Sequence, residues 1–240
     1  VKETHFVRSS DPQNFKSLPS PFWLSPMEQL SHHSVAIDTA WIYESFPDLS
    51  KPVCISRLRA ALTRLLDYFP TLTGRLSVQP QTGLRSLDRF GTGINLLEAT
   101  CIDPLAAFYD SKEGSLDIFN LPENGETLFG PWEGTAESAQ RDRLPTVQHT
   151  RFACGLVALG LRATHTVCDA SGFLQLYQDL AKLYRAPKPG FDIEVTLAQA
   201  PCIESYMLDK IGSLSPEERA VALEYQPPRF SVIETNEKRE

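Results

Sequence analysis

No apolar run in this chain approaches the roughly 20 residues that a bilayer crossing requires, so a membrane-spanning helix is excluded from its sequence and no membrane partner is expected. Positive charge is also short. Lys plus Arg number 23 against 30 Asp plus Glu, for a net charge of −7 and a pI near 5.3. An acidic surface repels phosphate backbones, so nucleic acid is not an expected partner. Cysteine is sparse and scattered: Cys54, Cys101, Cys154, Cys168 and Cys202 form no CxxC pair and no metal-ligand ladder. That argues against a disulfide scaffold and for a reduced, cytoplasmic setting. The opening Val1-Lys2-Glu3-Thr4-His5 is polar and shows no secretory signal. Repeats and low-complexity tracts are missing too. What remains is ordinary globular material: 240 residues, 42% hydrophobic and 22% charged, enough for one sizeable core.

Periodicity divides the chain into elements. Leu18 to Pro26 holds three prolines and reads as extended or turn-like. Val35, Ile37, Thr39, Trp41 and Tyr43 alternate with smaller or polar residues, which predicts a strand. Ile55, Leu58, Leu62, Leu65, Leu66 and Phe69 recur at helical spacing until Pro70 stops them. Short strands and turns follow, with Gly83, Gly91 and Gly93 as punctuation and a strand over Ile94 to Leu97. Residues 110–145 read as long, mobile connections with little regular structure. Thr150 to Ala163 is apolar on both faces and reads as one buried strand. A helix then starts near Gly172, with Phe173, Leu176, Leu180 and Leu183 on one stripe and Lys182 and Arg185 near its end. Pro187 to Gly190 is a linker. Ser215, Pro216 and Glu218 form a capping box for a last helix, ended by Pro227 and Pro228. Phe230 to Ile233 resembles a strand. The order of elements predicts an α/β fold with a mixed β-sheet flanked by helices.

The chemistry concentrates in His165-Thr166-Val167-Cys168-Asp169-Ala170-Ser171-Gly172, between the buried strand and the helix. His165 and Asp169 are four apart. On a helix that spacing could ligate a metal, but this segment is a turn and no third ligand lies near, so no metal is expected. Cys168 or Ser171 could serve as a nucleophile with His165 as its base. Neighbours this close in sequence rarely meet at the required distance and angle, and an apolar Cys168 suits an inert thiol. A third reading makes His165 a general base at a strand end, since a neutral imidazole with a pKa near 6.5 accepts a hydroxyl proton at neutral pH. A fourth is a core histidine beside an aspartate helix cap.

Three ordered blocks carry a resemblance. Thr150-Arg151-Phe152-Ala153-Cys154-Gly155 runs on to His165-Thr166-Val167-Cys168-Asp169 and Gly172-Phe173; Leu24-Ser25-Pro26-Met27-Glu28 precedes the early strand; Asp67-Tyr68-Phe69-Pro70-Thr71-Leu72-Thr73-Gly74-Arg75-Leu76 closes the first long helix. Together they resemble the BAHD acyltransferases, with the flavour of fungal O-acetyltransferases of trichothecene and alkaloid pathways. The resemblance implies a chloramphenicol-acetyltransferase-like N-terminal domain of a two-domain enzyme over residues 1–190. Residues 191–240 would be a helical segment and a crossover toward a second domain. It implies an acyl-CoA-dependent O-acyltransferase, with acetyl-CoA as the default co-substrate and a small-molecule alcohol as acceptor. His165 would be the base, Asp169 a structural residue held in an ion pair, and Gly172 part of the same turn. His32, His33 and Ser34 would fall on the acceptor side, with a plain exposed loop as the alternative.

The departures are specific. Ala170 stands where the family has glycine, Glu28 where it has aspartate, and Leu156 where it has a second glycine. The later DFGWG element of the family does not occur in these residues. The expectation is therefore a C-terminal half supplied as a second chain, with Val1 and the charged run Glu237 to Glu240 read as cuts. A condensation-domain-like relative would place a second histidine where Thr164 stands. A non-catalytic relative of the same fold is the remaining alternative.

Overall fold

The computed structural model describes residues 1–32, 35–43, 53–110, 112, 114–185, 197 and 215–224. Its centre is a five-stranded mixed sheet in the order β1 (Glu3–Val7), β6 (Ile94–Thr100), β7 (Pro145–Arg151), β8 (Val157–Thr164) and β3 (Ala36–Tyr43). Only the β6–β7 pairing in this sheet is parallel. A three-stranded antiparallel sheet, β2 (Phe22–Trp23), β5 (Arg85–Asp88) and β4 (Arg75–Val78), stands beside it. The expected mixed α/β architecture is present.

One face of the large sheet carries two helices, α3 (Ile55–Tyr68) and α5 (Ala170–Arg185). Leu58, Leu62, Leu65 and Leu66 of α3 and Phe173, Leu176, Leu180 and Leu183 of α5 pack on Val147, Val157, Leu159 and Leu161 of the strands. Each such aliphatic side chain contributes about 1.5–3 kcal/mol by leaving water. Both helical stripes are as the periodicity predicts. Helix α5, however, begins at Ala170 rather than near Gly172, because Asp169 caps it: its Oδ1 accepts the Gly172 N–H at 2.7 Å and its carbonyl accepts the Phe173 N–H.

The run Thr150 to Ala163 is not one strand. Strand β7 ends at Arg151, the chain reverses through Phe152 to Leu156, and β8 returns antiparallel, with Arg151 opposite Val157. Gly155 takes φ +88° in that turn, a left-handed conformation glycine adopts without penalty. Apolar residues on both sides of the turn hid it, because every residue of β8 is buried and a strand covered on two faces loses its alternation.

The second face is covered by the segment from Leu105 to Phe129, most of which falls in residues 110–145, expected as mobile connections. They hold little regular structure, mostly 3-10 turns, but Leu105, Phe108, Leu121 and Leu128 are buried against Phe152 and Ala158. Gly160 of β8 shows how close the approach is: a Cβ there would overlap the Leu128 carbonyl oxygen. Within residues 110–145, α4 (Ala136–Arg141) is a further helix, with a Thr135–Ser138 capping pair.

The capping box at Ser215 is formed: Glu218 Oε2 accepts the Ser215 N–H at 2.8 Å and Ser215 Oγ the Glu218 N–H at 3.2 Å, opening α6 (Pro216–Glu224). The Pro187–Gly190 linker and the strand at Phe230 to Ile233 lie outside the described residues. Among the described helices none is long and apolar enough to cross a membrane.

Candidate active site

His165 is the first residue beyond β8. Its own N–H donates to the Val35 carbonyl at 2.9 Å, extending the β3–β8 ladder by one rung. The turn that follows is locked from below. Val167 N–H donates to the Thr164 carbonyl, and Thr166, fully buried, donates its N–H to Thr164 Oγ1. Val167 packs against both the main core and the core of the small sheet, Leu24, Leu76, Leu87 and Leu144. The backbone at His165 is thus fixed by a ladder bond, a turn and the packing of Val167.

Sequence reasoning missed the residue that meets the ring. Ser31 Oγ lies 3.3 Å from His165 Nδ1. Ser31 ends α2 (Pro26–Leu30), a short helix opened by a capping box. There Glu28 Oε2 accepts the Ser25 N–H at 2.5 Å, and Ser25 Oγ accepts the Glu28 N–H. The Glu28 departure from the family pattern is therefore a working cap, since glutamate is the usual third helical residue of such a box. Ala170 is the first residue of α5, where alanine favours the helix over glycine.

Helix α2 hangs from β5. Gln29 Nε2 donates to the Arg85 carbonyl at 2.7 Å, and Gln29 Oε1 accepts the Arg85 N–H at 2.8 Å. The Arg85 guanidinium donates to the carbonyls of Gln29 and Ser31. Burial lowers the Arg85 pKa from its ordinary value, and the group stays cationic at neutral pH. Arg85 thus caps the last carbonyls of α2 from another element, so no local pattern in the sequence marks it.

Of the expected site residues, His165 and Asp169 stand in the turn after β8, and Gly172 lies in the first turn of α5, bonded to Asp169. Asp169 is exposed and occupied with capping α5. The ion pair expected for it is not formed among the described residues. His32 is exposed and directly follows Ser31. His33 and Ser34 lie outside the described residues.

The metal and nucleophile readings find no support in the geometry. Among the described residues the one group of three candidate ligands is Glu3, His5 and Glu98, on the β1–β6 edge and apart from the motif. There the two ring nitrogens of His5 face different carboxylates, Glu3 at 3.5 Å and Glu98 at 3.6 Å. Burial, then the charges of Asp169 and Glu28, push the Cys168 thiol up to about 12. A thiol stays protonated below its pKa, so Cys168 is no nucleophile at neutral pH. Iodoacetamide at pH 8 is expected to alkylate exposed Cys154 well before Cys168, read by peptide mass spectrometry. Equal labelling of the two would restore the nucleophile reading.

A cavity of about 670 Å³ opens on the other face of the sheet, lined among others by Gln148, Thr150, Phe129, Trp132 and Arg162. His165, Asp169, Gly172 and His32 take no part in its walls.

Residues 1–202 match the model of the Transferase family. The chain belongs to this family, the BAHD acyltransferases. Among curated BAHD-type relatives, the 3'-N-debenzoyl-2'-deoxytaxol N-benzoyltransferase of Taxus canadensis is 30% identical over 180 residues, taking in 73% of this chain and 38% of the relative. Alcohol acyl transferase 1, allele GSd, of Malus domestica is 30% identical over 192 residues, 75% of this chain and 39% of the relative. The crystal structure of vinorine synthase shares the fold, with a TM-score of 0.62 at 19% identity, over 83% of this chain and 44% of that one. The chain spans 38–39% of the length of those two curated relatives. Both come from plants, so the leaning toward fungal BAHD members rests on the motif residues alone.

Proposed function

We propose that this chain is the base-bearing part of an acyl-CoA-dependent O-acyltransferase, with His165 as general base. The observation that carries the proposal is the presentation of His165: a strand-end histidine, ladder-bonded through its backbone, bonded at Nδ1 by Ser31, and only partly buried. The imidazole takes the proton of the acceptor hydroxyl. The oxygen forms a bond to the thioester carbonyl carbon, the carbon–sulfur bond breaks, and the departing thiolate takes the proton back from the imidazolium. The products are an ester and free coenzyme A, and no acyl-enzyme forms. Alignment of alcohol, base and thioester is the main source of rate, because it removes the entropic cost of a three-body encounter.

Acetyl-CoA is the proposed donor. The proposed acceptor is a hydroxyl on a polycyclic secondary metabolite, an alkaloid or terpenoid of fungal origin. Asp169 and Gly172 shape the turn, and His32, His33 and Ser34 are the acceptor-side candidates. Residues 1–190 would form the acyltransferase domain and 191–240 the helical segment and crossover. A C-terminal half, supplied as a second chain, would complete the channel. The thiols of Cys101, Cys154 and Cys168 support a reducing, cytoplasmic setting.

The test combines the chain with the C-terminal half and a panel of polycyclic alcohols and acetyl-CoA. The expected result is an acceptor heavier by one acetyl group for each coenzyme A thiol released, with unmodified protein mass throughout. Thiol release with an acetylated protein would overturn the direct-transfer mechanism.

A further inference from the structure

The geometry points to Ser31 and Arg85 as positioning residues for His165: Ser31 Oγ accepts the Nδ1–H hydrogen bond, which leaves Nε2 unprotonated, and Arg85 holds Ser31 there. This rests on His165 being the base. A neutral imidazole carries one proton, and the nitrogen that bears it is set by the partner of the ring. A ring protonated at Nε2 cannot take a proton there. A ring protonated at Nδ1 can, and Ser31 Oγ is the one group bonded to Nδ1 among the described residues. Nothing among the described residues bonds Nε2.

Ser31 by itself would be a poor anchor, because a serine at a helix end is free to move. Here it is clamped. The Arg85 guanidinium donates one bond to the Ser31 carbonyl and another to the Gln29 carbonyl, the last acceptors of α2. A planar fork of fixed donors places two carbonyls at once. Arg85 is in turn a strand residue, paired across β4–β5 with Val78 and bonded through its own backbone to both ends of the Gln29 amide. The small sheet, which has no chemistry of its own, thus sets the register between Ser31 and a histidine 134 residues away.

Three measurements test this. In the 240-residue chain, at a pH where the ring is neutral, the imidazole ¹⁵N signals of His165 should show Nδ1 protonated and Nε2 not. A protonated Nε2 would overturn the inference without any variant. In the assembly with the C-terminal half, Ser31→Ala should lower kcat about tenfold, the loss of one hydrogen bond's worth of positioning, with KM for acetyl-CoA unchanged. Ser31→Thr, which keeps the hydroxyl, should recover most of it. Arg85→Met should lower kcat in the same way, and the Ser31→Ala/Arg85→Met double variant should be no slower than Ser31→Ala alone, because Arg85 acts only through Ser31. Additive losses would overturn the role of Arg85, and wild-type kcat in Ser31→Ala the role of Ser31. If His165→Ala itself turns over normally, the base reading fails instead, and the two failures are told apart.

Discussion

His165→Ala is expected to lower kcat about 10²- to 10⁴-fold, the usual worth of a positioned general base. The fold should survive. His165 is only partly buried, its side chain bonds Ser31 alone among the described residues, and its backbone bond to Val35 is kept by any residue. KM for acetyl-CoA should change little, because the base acts on the acceptor proton and not on the thioester. Release of the coenzyme A thiol, followed at saturating acceptor in the assembly with the C-terminal half, measures the effect. A loss below tenfold would mean that alignment alone carries the reaction and that the histidine is an ordinary strand-end residue.

The largest stability effect is expected one strand turn earlier. Arg162 lies opposite Asp38 in the β3–β8 register and is nearly closed off from water, with a side-chain exposure of 5%. Its Nε and Nη2 donate to the two Asp38 oxygens at 2.7 Å each, Nη1 to the Gly130 carbonyl at 2.6 Å, and Nη2 also to Glu126 at 2.6 Å. Burial pulls the pKa of this guanidinium down, but the bonds to Asp38 and Glu126 outweigh it and the net shift is upward, so the cation is held. Arg162→Ala leaves the buried Gly130 carbonyl without its donor, while Asp38 can turn to water, and should cost about 1–3 kcal/mol. Urea denaturation should show a lower midpoint at unchanged slope. Asp38→Asn combined with Arg162→Ala should cost less than the two single changes summed, since both break one network. Loss of less than about 1 kcal/mol in Arg162→Ala, a surface-pair value, would show that water repairs the site.

The two predictions share a cause. Arg162 in β8 and His165 just beyond its end are three apart, and the β3–β8 register sets Arg162 against Asp38 and His165 against Val35. A shift of one residue would turn Arg162 toward the helices and move His165 off the strand end.

Much of this was legible in the chain itself. Helices α3 and α5 repeat their leucines at a helical period, so one buried stripe was visible without a partner. Strand β3 alternates because its two faces meet different surroundings. The turn bearing His165 and Asp169 stood out because polar residues interrupt an apolar stretch just before a helix. Where two elements had the same character, the reading failed. Strands β7 and β8 are both apolar, and only pairing distinguishes a hairpin from one long strand. Residues 110–145 look like free connections because their few apolar residues have no period, yet Leu121 and Leu128 among them are buried once the sheet is beneath them.

The sequence by itself determined the class of the fold, the helical stripes and the residue that offers a base. It could do so because those depend on local spacing and on residue chemistry. Only the tertiary structure decided what the base is bonded to. Ser31, Arg85 and His165 lie on three separate elements, with 54 residues between Arg85 and Ser31 and 134 between Ser31 and His165. No local pattern encodes such a meeting; it exists because two sheets pack side by side and bring a helix end, a strand and a strand-end turn to one place.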